Sequence, residues 1–252
     1  MMTGKVVLVT GGSRGIGKAT ARALVAAGAK VVITGRHQDA GDEAVADIGG
    51  EVHFVRSDVA SEADIERSVA ETVTRFGRLD AAFNNAGIGE IAGPLHKLDA
   101  DTFESMFDVN VKGTWLCMKH EVRQFLKQTE AGRGRGGAIV NCSSILGHQA
   151  IAGSGHYTAT KHAIEGYTKV GALDYAKDGI RINAVAPAVI EDGRLGAGKA
   201  PQVFKDYLLA KHPLGRFGVG KDVAGAVMFL LSDHASFITG ASLQVDGGYM
   251  IE

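Results

Sequence analysis

The chain has 252 residues, 45% of them apolar, and a formal net charge of −1 at pH 7. That length fits one large α/β domain as well as two small ones, and it can bury a sizeable core. A near-neutral chain with no basic tail gives no reason to expect nucleic acid or an anionic membrane as a partner.

Cys117 and Cys142 are the only two cysteines. They lack metal-ligand spacing, so no metal is expected, and they read as small buried hydrophobes of a reducing, cytoplasmic compartment. Met1 to Lys5 lead straight into Val6-Val7-Leu8-Val9, an apolar run too short for a signal sequence or a membrane span.

Lys5 to Thr10 reads as a buried strand, aliphatic and broken by glycine. Gly11-Gly12-Ser13-Arg14-Gly15-Ile16-Gly17 follows. An alanine-rich helix is predicted from about Gly17 to Ala27, then a strand over Val31 to Thr34. Strand, glycine turn, helix and strand make a βαβ unit. The turn glycines let backbone N–H groups approach a diphosphate at the positive end of the helix. The spacing Gly11, Gly15, Gly17 is not the usual G-x-G-x-x-G, but its strand–turn–helix setting points to a nucleotide.

The alternation continues with a helix over Ala40 to Ile48, a strand over Val52 to Arg56 and a helix over Ser61 to Phe76. Ser61 is its N-cap, with Glu62 and Asp64 behind it. A strand from Leu79 to Phe83 ends in Asn84-Asn85-Ala86-Gly87, and a long helical region spans about Asp101 to Lys127. The strand Ala138 to Cys142 ends in Ser143-Ser144. A helix carrying Tyr157 and Lys161 runs to about Lys177, and the strand Arg181 to Ala186 ends at Pro187. A helix over Asp222 to Leu231 and a strand over Leu243 to Val245 close the chain.

This order predicts an α/β fold in a single domain over residues 1–252: a doubly wound Rossmann-type, mainly parallel seven-stranded sheet with helices on both faces. The polar clusters after Val9, Phe83 and Cys142 fall at carboxyl ends of strands, where such sheets bind ligands. Two segments break the alternation. Gly132 to Gly137 is a basic surface loop. The stretch 190–212 is long, rich in glycine and charge, with a helical pattern only from about Pro201, and is expected to be a substrate lid.

Tyr157 and Lys161 stand at i and i+4, so on a helix they leave one face a turn apart. A tyrosine hydroxyl ordinarily ionises near 10 and is a poor base at neutral pH. An ammonium roughly 4 Å away, at an effective dielectric of about 20, stabilises the phenolate by about 4 kcal/mol. That brings a phenol near 7, where general acid/base catalysis works best.

Taken together, these motifs give the chain a family likeness. It resembles the short-chain dehydrogenase/reductases of about 250 residues over essentially its whole length. The likeness rests on Thr10-Gly11-x-x-x-Gly15-x-Gly17, Asp58-Val59, Asn84-Asn85-Ala86-Gly87, Asn110, Ser144 thirteen positions before Tyr157, Tyr157-x-x-x-Lys161 and Val245-Asp246-Gly247-Gly248.

The resemblance implies that Tyr157 is the general acid in reduction and the base in oxidation. It implies that Lys161 assists the phenol and bonds the nicotinamide ribose, that Ser144 holds the substrate oxygen, and that Asn110 serves a proton-return water chain. The implied cofactor contacts are Gly11, Ser13, Arg14, Gly15, Ile16, Gly17, Arg36, Asp58, Val59, Asn85, Ala86, Gly87, Tyr157, Lys161, Pro187 and Ile190. One departure is Pro187-Ala188, where the family usually has Pro-Gly. Another is Ile190-Glu191-Asp192, where a threonine commonly follows. An unusual backbone course is therefore expected beside the nicotinamide.

An acid after the second strand usually selects NAD by holding the ribose hydroxyls. Here that place is Gly35, followed by Arg36, and Arg14 is a second cation for a 2′-phosphate. NADP(H) is expected, with NAD(H) as the alternative. The predicted reaction is reversible NADPH-dependent reduction of a small-molecule carbonyl to an alcohol. Dehydrogenation of cyclic alcohols or sugars, or 3-oxoacyl-carrier-protein reduction with Arg133 and Arg135 meeting an acidic carrier, are the enzymatic alternatives. A dinucleotide-sensing scaffold is the non-enzymatic one.

Ser143 and Ser144 are adjacent, and Ser144 is favoured to face the substrate. His156 would leave its helix away from Lys161, and His148 either lines the substrate pocket or lies on the surface. A homo-oligomer, a tetramer, is expected. The family likeness is its main support, together with the apolar residues Trp115, Leu116, Met118, Ile164, Val170 and Leu173 on two helices.

Overall fold

Both faces of the first strand are apolar: Val6, Val7, Leu8 and Val9 are all buried. Side chains alternate across a strand, so such a sheet must be covered on both sides. The computed structural model describes residues 2–89, 93–132, 136–191 and 202–251. Its elements run β1 (Val6–Val9), α1 (Gly15–Ala26), β2 (Lys30–Gly35), α2 (Gln38–Ile48), β3 (Val52–Arg56), α3 (Glu62–Phe76), β4 (Ala81–Asn84) and α4 (Ala100–Met106). A π-helical turn (Phe107–Lys112), α5 (Gly113–Glu130), β5 (Gly137–Cys142), α6 (Gly155–Tyr175), β6 (Ile180–Pro187), α7 (Gln202–Ala210), α8 (Gly220–Leu231) and β7 (Ser242–Val245) follow.

The seven strands lie in the order β3-β2-β1-β4-β5-β6-β7, and every neighbouring pair is parallel. This is the single Rossmann-like sheet predicted from the alternation. The period of two sorts its side chains into two cores. Val7, Val9, Val31, Ile33 and Phe83 face Leu24 of α1 and Val223, Val227 and Leu230 of α8. Leu8, Val32, Ala82, Ile139 and Ile182 face Val69 of α3, Met118, Val122 and Phe125 of α5, and Ala172 of α6. Fully burying one such side chain contributes about 1.5–3 kcal/mol.

Local signals explain the element ends. The Ser61 Oγ accepts a hydrogen bond from Asp64 N at 3.4 Å, as its N-cap position predicts. Gly77 closes α3 in the left-handed region at φ +83°, where glycine is least strained. The first helix starts at Gly15, two residues before the predicted Gly17. The long helical region spans α4 to α5 but is interrupted by the π turn, which carries Asn110.

The surface differs from expectation in one respect. Trp115, Val170 and Leu173 are exposed, but Leu116, Met118 and Ile164 are buried within the chain's own core. Of the basic loop, Arg133 and Arg135 lie outside the described residues, as do Asp192 and the centre of the expected lid. The helical pattern from Pro201 appears as α7. No described helix is long and apolar enough to cross a membrane.

Candidate active site

The strand order changes direction between β1 and β4, and a cleft of about 510 Å³ opens beyond the carboxyl ends there. Such a switch point is where open α/β sheets bind ligands. Its floor is the turn after β1. Gly11 and Gly15 have φ of +62° and +52°, conformations that L side chains rarely adopt. A Cβ on Gly17 would lie 2.3 Å from Gly11 O, so only glycine lets α1 pack under the turn. Gly11, Ser13, Arg14, Gly15 and Ile16 line the cleft, whereas Gly17 lies behind the turn.

The N-cap residue of α1, Arg14, makes no side-chain cap, and the first turn holds no acid. Its N–H groups therefore present a positive, donor-rich end to the cleft. The turn is held from the opposite strand. Thr10 Oγ1 accepts from Asn85 N at 3.0 Å and Ala86 N at 3.1 Å. The Asn85 amide returns two bonds, to Thr10 O at 3.0 Å and Gly11 O at 3.1 Å. Asn85, Ala86 and Gly87 thus form one wall.

At one end of the cleft stand Gly35, Arg36, Asp58 and Val59. Ser13 Oγ would be 3.3 Å from a Cβ on Gly35, leaving little room for an acidic side chain. Arg14 and Arg36 are exposed. Among the described residues neither guanidinium is engaged in a hydrogen bond or ion pair. Asp58 Oδ1 accepts from Ala60 N at 3.0 Å, while Val59 is buried against Ile65, Leu116 and Cys117.

At the other end, Tyr157 and Lys161 project from one face of α6 into the cleft. Lys161 is 5% exposed. Its Nζ donates to Cys142 O at 2.7 Å and lies 5.4 Å from the centroid of the Tyr157 ring. Ser143 and Ser144 both line the cleft at the end of β5. Among the described residues Ser143 Oγ has no partner, and it is buried beneath Gly147. Ser144 Oγ accepts from Leu146 N at 3.2 Å. Burial pushes the Cys142 thiol up, against the pull of the Lys161 charge.

Asn110 stands behind this group and is fully buried. Its Oδ1 accepts from Ile88 N at 2.8 Å, and its Nδ2 donates to Ile88 O at 2.7 Å and Thr160 Oγ1 at 3.1 Å. It ties the segment after Gly87 to the Tyr157 helix. The π turn, a feature common at functional sites, delivers this side chain.

Past β6, Pro187, Ala188 and Ile190 line the cleft. Ala188 keeps a negative φ, so alanine fits where the family usually has glycine. Glu191 N donates to Gly218 O at 2.8 Å, and Gly218 N to Val189 O at 3.0 Å, fixing the start of the predicted lid. Around Tyr157 an apolar cluster gathers Ile145, Leu146, Val189, Phe204, Leu208 and Tyr249.

Two histidines resolve away from the cleft. His148 Nε2 meets Ser242 Oγ at 2.9 Å and Glu165 at 3.2 Å. His156 packs edge-on against Phe103. Sequence reasoning missed Thr34, Ser57, Ile88, Val109 and Cys142 as lining residues. Thr34, Ser57 and Cys142 lie at or just beyond the carboxyl ends of their strands, which was the available signal.

Comparison with known proteins agrees with this geometry. Residues 10–250 match a family model described as enoyl-(acyl carrier protein) reductase. The chain is 41% identical to a 2,5-dichloro-2,5-cyclohexadiene-1,4-diol dehydrogenase of Sphingobium indicum, covering 98% of each. It is 42% identical to a cis-4-hydroxycyclohexanecarboxylate dehydrogenase of Sinomonas cyclohexanicum, covering 97% of this chain and 96% of the relative. A short-chain type dehydrogenase/reductase from Mycobacterium ulcerans superposes with a TM-score of 0.93 at 34% identity, covering 100% of this chain and 91% of that one. The chain belongs to the short-chain dehydrogenase/reductase family, oxidoreductases that use a nicotinamide dinucleotide on alcohol and carbonyl groups.

Proposed function

We propose that the protein interconverts a small cyclic secondary alcohol and its ketone, with NADP(H) preferred. The observation that carries the reading is the placement of Tyr157, Lys161 and Ser144 at one end of a cleft floored by a glycine turn, with Arg14 and Arg36 also lining it. The glycine turn, the uncapped start of α1 and the guanidiniums of Arg14 and Arg36 suit a dinucleotide phosphate. Gly11, Ser13, Gly15, Ile16, Asp58, Val59, Asn85, Ala86, Gly87, Pro187 and Ile190 would complete its walls, with Gly17 supporting the turn.

When bound there, the dinucleotide supplies or accepts the hydride. The chain's own residues do the rest. Tyr157 Oη gives a proton to the carbonyl oxygen in reduction and takes it back in oxidation. The Lys161 ammonium, fixed by Cys142 O, stabilises negative charge beside the Tyr157 ring. Ser144 Oγ donates to the substrate oxygen as charge develops there. Asn110 holds the segment after Gly87 and the Tyr157 helix in register.

The apolar cluster around Tyr157 favours a hydrocarbon ring over a sugar. The two relatives whose names describe cyclohexane and cyclohexadiene alcohols support the same class. A homo-tetramer is proposed from the exposed Trp115, Val170 and Leu173 on α5 and α6, and a cytoplasmic setting from two free thiols. The test is NADPH and NADH oxidation with a panel of cyclic ketones, acyclic ketones and sugars. Cyclic ketones with NADPH should give the highest kcat/KM. Tight dinucleotide binding without turnover of any carbonyl or alcohol would overturn the reading.

A further inference from the structure

Cys117, Met118, Glu121, Val122 and Phe125 are all buried on α5, and four of the five are what a core helix should carry. The fifth, Glu121, is 0% exposed. Among the described residues no cation pairs with it. A carboxylate buried without a countercharge is strongly disfavoured, and such a group takes up a proton instead.

Among the described residues its hydrogen-bond partner is Asn84. Asn84 Nδ2 donates to Glu121 Oε2 at 3.0 Å and to Asn141 Oδ1 at 3.1 Å. Asn141 Nδ2 donates in turn to Thr168 Oγ1 at 3.0 Å and to Met118 Sδ at 3.4 Å. Thr168 Oγ1 donates to Ile164 O at 2.8 Å. The chain of side chains therefore crosses α5, β4, β5 and α6.

Each link lies beside a part of the site. Asn84 precedes Asn85, which holds the glycine turn. Asn141 precedes Cys142, whose carbonyl anchors Lys161. Thr168 lies on the helix of Tyr157 and Lys161, about two turns further along. We propose that Glu121 is a positioning residue for the active site: it terminates a buried side-chain chain that clamps the strands carrying Asn85 and Ser144 to the helix carrying Tyr157 and Lys161. The proposal rests on the oxidoreductase reading above.

The clamp works with Glu121 as the neutral acid. Among the described residues, Glu121 Oε1 and Asn84 Oδ1 are both buried acceptors without a partner. A proton on the carboxyl adds a donor to a cluster that has too many acceptors. Burial pushes the Glu121 carboxyl up to about 8, opposed by the Asn84 hydrogen bond. From α5 itself the titratable neighbour is the Cys117 thiol, pushed up by burial and by Glu121. Asn84, Asn141 and Thr168, presented by β4, β5 and α6, are uncharged. Glu62 of α3 pairs with Lys119 and His120 instead. Ionisation of Glu121 would put an unpaired charge into the clamp and loosen it.

The test compares pH profiles of wild type, Glu121→Gln and Glu121→Ala in kcat and KM for alcohol oxidation, the direction in which Tyr157 is the base and loss of its proton does not itself slow turnover. Wild-type kcat should fall above about pH 8 by about tenfold per unit, with little change in KM. Glu121→Gln, an amide that cannot ionise, should keep kcat within about threefold of wild type at pH 7 and show no such fall. Glu121→Ala should lose at least tenfold in kcat at pH 7. The same alkaline fall in Glu121→Gln, or an Ala variant as active as wild type, overturns the proposal.

A measurement without turnover decides it independently. Carbon-13 NMR of labelled glutamate carboxyls in wild type should show one titrating near 8. If every glutamate titrates in the ordinary carboxylate range, the proposal fails even if the variants do not fold. If no alcohol or ketone is turned over, the oxidoreductase reading fails while the NMR result still reports on Glu121.

Discussion

Replacing Thr10 with valine removes one oxygen and keeps the branched shape. That oxygen accepts two backbone N–H groups, from Asn85 at 3.0 Å and Ala86 at 3.1 Å, and Thr10 is 2% exposed. A buried donor left without an acceptor costs about 1–3 kcal/mol. Asn85 and Ala86 are only half-buried, so water recovers part of this, and the expected loss is about 2–4 kcal/mol for the pair. Urea unfolding should show it as a lower midpoint with an unchanged slope. Thr10→Ser keeps both bonds and should recover most of the loss. Dinucleotide affinity should fall with the valine variant, because the staple holds the glycine turn against the Asn85 wall. A valine variant within about 0.5 kcal/mol of wild type, or a serine variant as damaged as valine, would refute the assignment of the staple.

Gly17→Ala places a Cβ 2.3 Å from Gly11 O, so the turn must shift; dinucleotide affinity measured by fluorescence titration should drop at least about tenfold, and unchanged affinity would contradict the packing. Arg36→Ala should cut the preference for NADPH over NADH by roughly ten- to a hundredfold in kcat/KM, the worth of one charged hydrogen bond. Stability should also depend on pH through Glu121. Its folded carboxyl is raised from 4.5 to about 8, so the native state holds a proton that the unfolded chain releases, and stability falls as pH rises from about 4.5 to about 8, by at most about 5 kcal/mol. Glu121→Gln should flatten the Tm profile across that window, as followed by thermal unfolding.

The sheet was legible because period-two apolar strands and glycine breaks occur in strict alternation with helices. The site was legible where a motif sits at a strand end, as with Ser144 after β5 and Asn85 after β4. What could not be read were contacts between distant segments. Nothing near Thr10 in sequence says that its hydroxyl accepts from residues 85 and 86. The six-residue π turn that carries Asn110 has no local composition signal, since Phe107–Lys112 continues a helical pattern. Glu121 was visible only as a charged residue at an apolar helical position, and its partners lie on three other elements. The apolar residues counted toward an oligomer divided between core and surface, because the helix face that meets the sheet depends on packing direction.

On the proposed mechanism Tyr157 moves the proton while the rest of the cleft holds the dinucleotide. Tyr157→Phe keeps the ring in its apolar surroundings and removes only the hydroxyl. The most direct measurement is kcat for a cyclic ketone together with NADPH affinity, in wild type and Tyr157→Phe across pH 6–9. The expected result is a loss of at least about a hundredfold in kcat, with dinucleotide affinity within about threefold of wild type. A phenylalanine variant that turns over at the wild-type rate would show that Tyr157 does not move the proton.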